Sequence, residues 1–575
     1  MVSNTEVAKI FEEISEILEL KNSDRFRIIA YQRAAQAIKS HGENLQTIYD
    51  RGGEKELQKI NGVGESIAQK IAEYIKTGKV EELQKLRGEA PEAEIDFLKI
   101  PGVGPKTATK LFEQLRAKDV NDLKSKLKKE GSKYFKEKSL NKILKGIDIS
   151  KRLGGRKLLS EVRPYVEELV EYLEKSDADN IIPVGSYRRW KDTVGDVDII
   201  ATSKDPSKVI SHFVKFSSFT QIINQGEAKS SAIHKGGFQV DLEIMSPDEF
   251  GSLLQHFTGS KEHNVTLRTH AQANGFSVSE HGIKIIAGKN KGRIIKCAKE
   301  DEVYKTLKMD FIEPELREDR GEIDAALGHK LPNLIELKDI KGDMHIHSTW
   351  SDGQSTIEQL VKRAVELKYE YIAISDHTVS LGIARGLSGE RFAKRQKEID
   401  AARKKFPQIE ILNSCEINIK PDGTLDLDDK TMQTFDIVTA SVHWSFGQSK
   451  EDMTQRIIKA VENKFVDIIG HPTGRLINER EGYDADWQKI FKVCAKEKVA
   501  LEINSFPERL DLTDSLVFEA KKYGVRFAIS TDAHHLGHMN NMVYGVSVAR
   551  RGWCEAKNIL NSFSYNELKN WLKST

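Results

Sequence analysis

The chain predicts a multidomain protein of mixed α+β and α/β class, and three observations carry that expectation. Its 575 residues exceed what one hydrophobic core organises, which sets a prior of roughly three to four domains. The apolar pattern changes twice: helical spacing up to about residue 150, isolated strand-like runs after it, then short β-like runs alternating with helical stretches beyond 340. Several of those late runs end in His, Glu or Asp, which is where parallel α/β barrels place chemistry.

In the first region Val7, Ile10, Phe11, Ile14, Ile17 and Leu18 recur at helical spacing with charges between them. Two segments repeat one another, Ile60-Asn61-Gly62-Val63-Gly64 and Ile100-Pro101-Gly102-Val103-Gly104, and each leads into a helical stretch. A glycine hairpin ahead of a helix start leaves backbone N–H groups pointing outward, able to hold a phosphate without reading sequence. A single copy would be an ordinary tight turn; two copies in one helical region make phosphate binding the stronger reading. Lysines crowd 124–145 (Lys126, Lys128, Lys129, Lys133, Lys136, Lys138 and Lys142 against Glu130 and Glu137), a run that suits either a solvated face or DNA contact.

The middle region opens with strand-like runs at Ile181–Val184, Val197–Ala201 and Phe238–Met245. Gly185-Ser186-Tyr187-Arg188-Arg189 precedes Gly195-Asp196-Val197-Asp198. Residues two apart on a strand face one side, so Asp196 and Asp198 project together and repel unless a cation lies between them. Hard oxygen ligands suit Mg²⁺, and Asp241 on a later strand completes a set of three. Residues 311–340, with Pro314, Pro332 and many charges, read as a connecting segment.

Beyond it the runs Tyr371–Ile374, Ile409–Leu412, Ile437–Ser441, Val466–Ile469, Ala500–Ile503 and Phe527–Ser530 predict the barrel strands. Asp343-Met344-His345-Ile346-His347, Ser351-Asp352-Gly353, Asp376-His377, Glu416, His443, Gly470-His471-Pro472 and Asp532-Ala533-His534 fall at or near their ends. One such His is ordinarily structural; six with interleaved acids point to a metal centre of mixed N/O donors.

Bulk properties exclude several classes. Hydrophobic residues at 39% and charged residues at 31% suit a globular protein rather than a disordered or fibrous one. The net charge of +2 means any basic surface is local. Cys297, Cys415, Cys494 and Cys554 stand far apart, so a disulfide framework or thiolate zinc site is not expected. No stretch is apolar enough to span a bilayer, and Val7-Ala8-Lys9-Ile10-Phe11-Glu12-Glu13 is unlike a signal peptide; a cytoplasmic protein is expected.

On these residues the chain resembles the family X (polymerase beta-like) DNA polymerases of bacteria and archaea that carry a C-terminal PHP domain. The two hairpins resemble helix-hairpin-helix motifs, and Glu65-Ser66-Ile67-Ala68-Gln69-Lys70 resembles a lyase subdomain in which Lys70 would form a Schiff base with an abasic sugar. A lysine of the vertebrate pattern is Ser66 here. The segment 185–198 resembles the family's nucleotidyltransferase signature, with Asp196, Asp198 and Asp241 holding two Mg²⁺ or Mn²⁺ ions, and Gly185, Ser186, Arg189 and Gly195 placed around the triphosphate. Phe257-Thr258-Gly259-Ser260-Lys261-Glu262-His263-Asn264 and Arg268 resemble the nucleotide-facing segment. The resemblance implies Phe257 and Gly259 along the sugar, Asn264 at the base edge and Arg268 near the template. Trp190 replaces a usual glycine and His256 a usual tyrosine.

For the PHP domain the resemblance implies metal ligands at His345, His347, Asp352, His377, Glu416, His443, His471, Asp532 and His534, for up to three Mn²⁺, Zn²⁺ or Fe²⁺ ions. Arg475 is open to two readings, a phosphate contact or plain surface; His535 and His538 fall outside the pattern and read as surface. The implied organisation is a lyase-like helical subdomain over 1–88, a second helical DNA-binding subdomain over 89–150, a palm over 151–257 and a thumb over 258–318. A linker over 319–340 and a distorted (βα)7 PHP barrel over 341–575 follow. The expected activity is gap filling on nicked or gapped duplex DNA with dNTPs, by a monomer, with 3′-5′ exonuclease, abasic-site and 3′-end-processing chemistry in the barrel. Two rival readings are a small-molecule phosphatase barrel and a non-catalytic DNA-binding scaffold; retention of all three palm aspartates speaks against the second.

Overall fold

The computed structural model describes the chain except residues 1–3, 22, 40–44, 61, 99, 101–102, 138, 142, 145, 148–155 and 574–575. Asn61, Pro101 and Gly102 of the two hairpins, Lys138 and Lys142 of the lysine run, and the boundary expected at 150 therefore lie outside the described residues. The helical periodicity of the first region becomes α1 (Asn4–Leu20) and α2 (Arg25–Lys39), whose Phe11, Ile14, Ile17, Ala34 and Ile38 share one core with Ile67, Ala68 and Ile71 of α3 (Glu65–Thr77). A separate core surrounds α4 (Pro105–Leu115) through Leu111, Leu115, Leu123 and Leu127. Gly64 and Gly104 stand in extended backbone as the residues before α3 and α4, so each hairpin delivers its first free N–H groups at a helix start.

After α5 (Leu159–Leu173) comes a five-stranded mixed sheet in the order β1-β2-β5-β4-β3: β1 (Asp179–Pro183), β2 (Asp196–Thr202), β3 (Phe219–Gln225), β4 (Lys229–His234) and β5 (Gln239–Met245). Alternation on β2 divides its faces. Val197, Ile199 and Ala201 pack with α5, whereas Ile200 is covered by Phe250, Leu253 and Leu254 of α6 (Phe250–Thr258). Asp196 and Asp198 share the face of Ile200 but lie at the uncovered end.

The next core joins Leu267 of α7 (Lys261–Ala273) with Tyr304, Ile312 and Leu316, and continues into α8 (Glu322–Leu327) through Ile323 and Ala326. The stretch 311–340, read from sequence as a connector, is thus packed chain. Its charges are internal partners: Arg317 is fully buried against Glu300, and Glu322 holds His263 Nδ1 at 2.7 Å.

Seven parallel strands follow in sequential order: β6 (Gly342–Ile346), β7 (Tyr371–Ile374), β8 (Glu410–Asn418), β9 (Ile437–Ser441), β10 (Ile468–Gly470), β11 (Ala500–Asn504) and β12 (Phe527–Ser530). A parallel bridge between Ile346 and Ala533 brings the last strand back to the first, giving a nearly closed barrel. The helix α9 (Met542–Arg551) leads out of it. All four cysteines are free and buried, and among the described residues no helix is long and apolar enough to cross a membrane.

Candidate active sites

Parallel pairing of β2 with β5 sets Asp198 beside Asp241 and Asp196 beside Gln239. All three carboxylates therefore lie on one patch at the same end of the sheet. Burial first, then the charges of Asp196 and Asp241, push the Asp198 carboxyl up to about 6. Asp241 accepts hydrogen bonds from Ser231 Oγ and from Gln239 Nε2 (2.9 Å), which fix its orientation. Crowded, partly desolvated carboxylates of this kind fit a divalent cation, which would remove their mutual repulsion.

The turn after β1 completes this end. Gly185 has φ +64°, and a Cβ there would stand 3.1 Å from Asp198 Oδ2, so glycine satisfies both the backbone and the close approach. We expect Gly185→Ala to cost about 1–2 kcal/mol in stability, the left-handed penalty for an L-residue. It should cut any chemistry at Asp198 by about tenfold or more; Tm and turnover of the purified variant check both. Arg188 donates a bidentate pair to Glu300 (2.9 and 2.7 Å), while Arg189 donates to Glu318 (3.0 Å) and to the Thr258 carbonyl. Gly259, φ +67°, leaves room for the Arg189 guanidinium 3.1 Å from where a Cβ would be. Trp190 adopts φ +53°, a conformation that glycine takes without strain, and stacks its ring under Arg163 at 4.6 Å.

Phe257 and His256 lie side by side with ring centroids 5.4 Å apart. Asn264 differs from its expected exposure to a base: it is buried, with its amide donating to the His256 carbonyl (2.7 Å) and accepting from Gln255 (2.8 Å). Arg268 Nε donates to the Asn264 carbonyl at 3.0 Å, one turn along α7. In the helical region Lys70 Nζ lies in a cavity of about 490 Å³, 2.8 Å from Ser66 Oγ and 3.0 Å from Glu82, which also accepts from the Tyr31 hydroxyl.

In the barrel all nine expected ligands converge. His345 on β6 and His347 just past its end meet with their Nε2 atoms 3.1 Å apart, and Asp532 Oδ1 is 3.1 Å from His347 Nε2. Glu416 stands between the groups, with His471 Nε2 at 2.8 Å and His443 Nε2 at 3.2 Å from one oxygen and His377 Nδ1 at 2.8 Å from the other. Three overlapping clusters have donor atoms all within 4.8 Å: His347, Asp352, His377 and His534; His345, His347 and Asp532; His377, Glu416 and His443. His347 Nδ1, His377 Nδ1 and Asp352 Oδ1 are buried without a hydrogen-bonded partner; the short His377–Glu416 approach lacks hydrogen-bond geometry. Orphaned donor atoms in a shell of imidazoles and carboxylates fit metal ions of the mixed N/O kind. His471 (φ 26°) and Asp532 (φ 51°) hold left-handed backbone, strain of the sort kept at functional positions.

Residues not read as ligands in the sequence orient this shell. Glu502 accepts from His345 Nδ1 at 2.8 Å and from the His471 backbone N–H at 2.6 Å, and Asn418 holds His443 Nδ1 at 2.7 Å. Asp376, paired with the buried Arg395, fixes Ser348 and Ser351 beneath the loop carrying Asp352. For Glu502 the signal is a polar residue inside an otherwise apolar run, Ala500-Leu501-Glu502-Ile503. Two expectations are corrected. His535 is buried and His538 is packed with its ring centroid 3.6 Å away, because the short helix after β12 folds both rings against the barrel. Arg475 does not lie free on the surface: it donates to the Arg509 and Leu510 carbonyls and to Asp192 Oδ2 at 3.2 Å.

The sequence is similar to those of known proteins. Residues 2–80 match the family model of a helix-hairpin-helix domain, and 54–118 and 94–147 that of a SAM-like helix-hairpin-helix tandem. Residues 253–318 match the DNA polymerase beta thumb and 343–506 the PHP domain. The chain is 36% identical over 576 residues to DNA polymerase/3'-5' exonuclease PolX of Bacillus subtilis, covering 99% of both chains. It is 28% identical over 243 residues to a probable phosphatase of Thermoanaerobacter sp., covering 40% of this chain and 94% of that protein. It is 23% identical over 329 residues to DNA polymerase lambda of Rattus norvegicus, covering 51% of this chain and 53% of that one.

Proposed function

Because the chain belongs to the family X DNA polymerases with a C-terminal PHP domain, we propose that it fills gaps in repair and trims 3′ ends in a second, separate site. The observation that carries this reading is the presence in one chain of two donor sets, the three palm aspartates and the nine barrel residues, eight in the overlapping clusters and His471 on Glu416. Residues 1–88 and 89–150 would grip nicked or gapped duplex DNA through phosphates, 151–257 and 258–318 would form the palm and thumb, and 341–575 the phosphoesterase, in a protein acting as a cytoplasmic monomer.

In the palm, Asp196, Asp198 and Asp241 would hold two Mg²⁺ or Mn²⁺ ions. In the barrel, His345, His347, Asp352, His377, Glu416, His443, His471, Asp532 and His534 would hold up to three Mn²⁺, Zn²⁺ or Fe²⁺ ions. Such ions supply Lewis-acid stabilisation of phosphoryl oxygens when bound. The protein's own share is orientation. Gly185, Ser186, Arg189 and Gly195 shape the turn that receives a dNTP triphosphate, and Phe257 and Gly259 offer a surface for its sugar. Asn264 braces the His256 carbonyl, so it would reach a base edge only by exchanging that bond. Arg268 extends the same helix toward a template strand. Lys70 is a candidate 5′-dRP lyase nucleophile whose ion pair with Glu82 has to open before the amine attacks an aldehyde.

A 5′-labelled primer on a gapped template in Mn²⁺ tests the reading. Extension with dNTPs, shortening without them and loss of both in chelator are expected. Absence of extension would overturn the polymerase. The likeness to a probable phosphatase favours a second reading of the barrel. Hydrolysis of free phosphate monoesters without 3′ shortening would establish it.

A further inference from the structure

We propose that Arg551, at the end of the barrel's α9, is a positioning residue for nucleotide addition in the palm. The inference rests on the polymerase reading above and concerns how the Arg189 turn is held. Arg551 is 3% exposed, and its guanidinium meets three acceptors. Nη1 donates to the Arg189 carbonyl at 2.7 Å and to Glu318 Oε1 at 3.1 Å, and Nη2 donates to Asp514 Oδ2 at 2.7 Å. Glu318 Oε1 is also the oxygen that accepts Arg189 Nε. One arginine of the barrel thus fixes both the backbone of Arg189 and the carboxylate that aims its side chain.

The next residues of the turn are tied to the barrel too. The Trp190 ring meets Tyr544 of α9 edge-on at 6.2 Å, and Asp192 pairs with Arg475 at 3.2 Å. Residues 189, 190 and 192 are therefore anchored by Arg551, Tyr544 and Arg475. Arg320 completes the junction, donating to Asp514 at 3.1 Å and to the Arg551 carbonyl at 3.2 Å. Burial opposes the Asp514 charge, but Arg551 and Arg320 together hold its carboxyl well below the usual range, which marks the junction as charge-matched. A planar, multi-donor fork meets three acceptors at once in a way a lysine ammonium on a flexible stem does not. The barrel thereby becomes part of the polymerase: it sets the geometry of the nucleotide grip without touching the nucleotide.

The test uses the full chain and single-nucleotide incorporation on a gapped duplex, comparing wild type, Arg551→Gln, Arg551→Lys and Asp198→Ala, with 3′ shortening measured on each. Arg551→Gln is expected to raise the dNTP KM about tenfold with a smaller change in kcat, and Arg551→Lys to recover part of the difference. Shortening should stay within about twofold of wild type, since none of the nine barrel ligands is altered. A wild-type KM in Arg551→Gln, beside an inactive Asp198→Ala, overturns the inference and leaves the polymerase reading intact. Incorporation by Asp198→Ala at the wild-type rate would instead remove the reading on which it rests. Should Arg551→Gln lose shortening as well through misfolding, Arg551→Lys decides, and a wild-type KM there overturns the inference.

Discussion

Asp198→Ala should reduce nucleotide incorporation by about 10³-fold or more, roughly 4 kcal/mol of transition-state stabilisation, and leave 3′ shortening within about twofold of wild type. Asp198 is central to the palm set: Asp196 shares its strand face, Asp241 is its cross-strand neighbour, and Gly185 is shaped to let its carboxylate approach. The substitution should not unfold the domain. Burial and the two neighbouring carboxylates raise the Asp198 carboxyl to about 6, so the folded state holds that proton more tightly than the unfolded chain does. Ionising Asp198 then costs stability above the ordinary aspartate range, and the cost is complete above about pH 6. In chelator at pH 7.5 the isosteric Asp198→Asn is accordingly expected to melt at or above the wild-type temperature while remaining inactive. Addition of Mn²⁺ should raise the wild-type Tm more than the variant's, because the ions relieve a repulsion among three carboxylates that the variant has only between two. A variant melting several degrees lower, with both activities gone, would mean Asp198 serves the fold rather than the chemistry.

Much of this arrangement is legible in the sequence, for physical reasons that also explain what is not. Parallel strands buried on both faces must be continuous apolar runs, so Tyr371–Ile374, Ile437–Ser441 and Phe527–Ser530 coincide with β7, β9 and β12. Period-two alternation places His345 with His347 and Asp196 with Asp198. β3 (Phe219–Gln225) escapes notice because it is an exposed edge strand with no buried face to impose a pattern. The charges of 313–322 look solvated in sequence, yet their partners, Arg550, Glu300, Arg551 and His263, lie up to 235 residues away. Only the folded chain reveals them. Glu502 and Asn418 stay hidden for a related reason: a residue that orients a ligand shares no spacing with it.

Glu416→Gln is the complementary experiment in the barrel. It should abolish 3′ shortening, by about 10³-fold or more, while primer extension continues. Glu416 is 1% exposed and offers one oxygen to His443 and His471 and the other to His377, with His345 Nε2 3.5 Å and His347 Nε2 3.7 Å away. Burial opposes its charge, but the surrounding imidazoles hold its carboxyl well below the usual range, so it remains an anion at the meeting point of the clusters. Glutamine keeps the shape and removes the charge, and no neutral amide can balance several cations at once. Elemental analysis of the purified variant should show fewer metal ions per chain than wild type, a measurement independent of any substrate. Crossing this variant with Asp198→Ala separates two origins of shortening. If hydrolysis in the barrel is responsible, Glu416→Gln removes it and Asp198→Ala does not. If shortening is pyrophosphate-driven reversal of polymerisation, it depends on added pyrophosphate and vanishes in Asp198→Ala instead. Shortening that survives in Glu416→Gln with the metal content unchanged would show that the barrel's histidines and acids hold no ion through Glu416, and the nuclease assignment would fall.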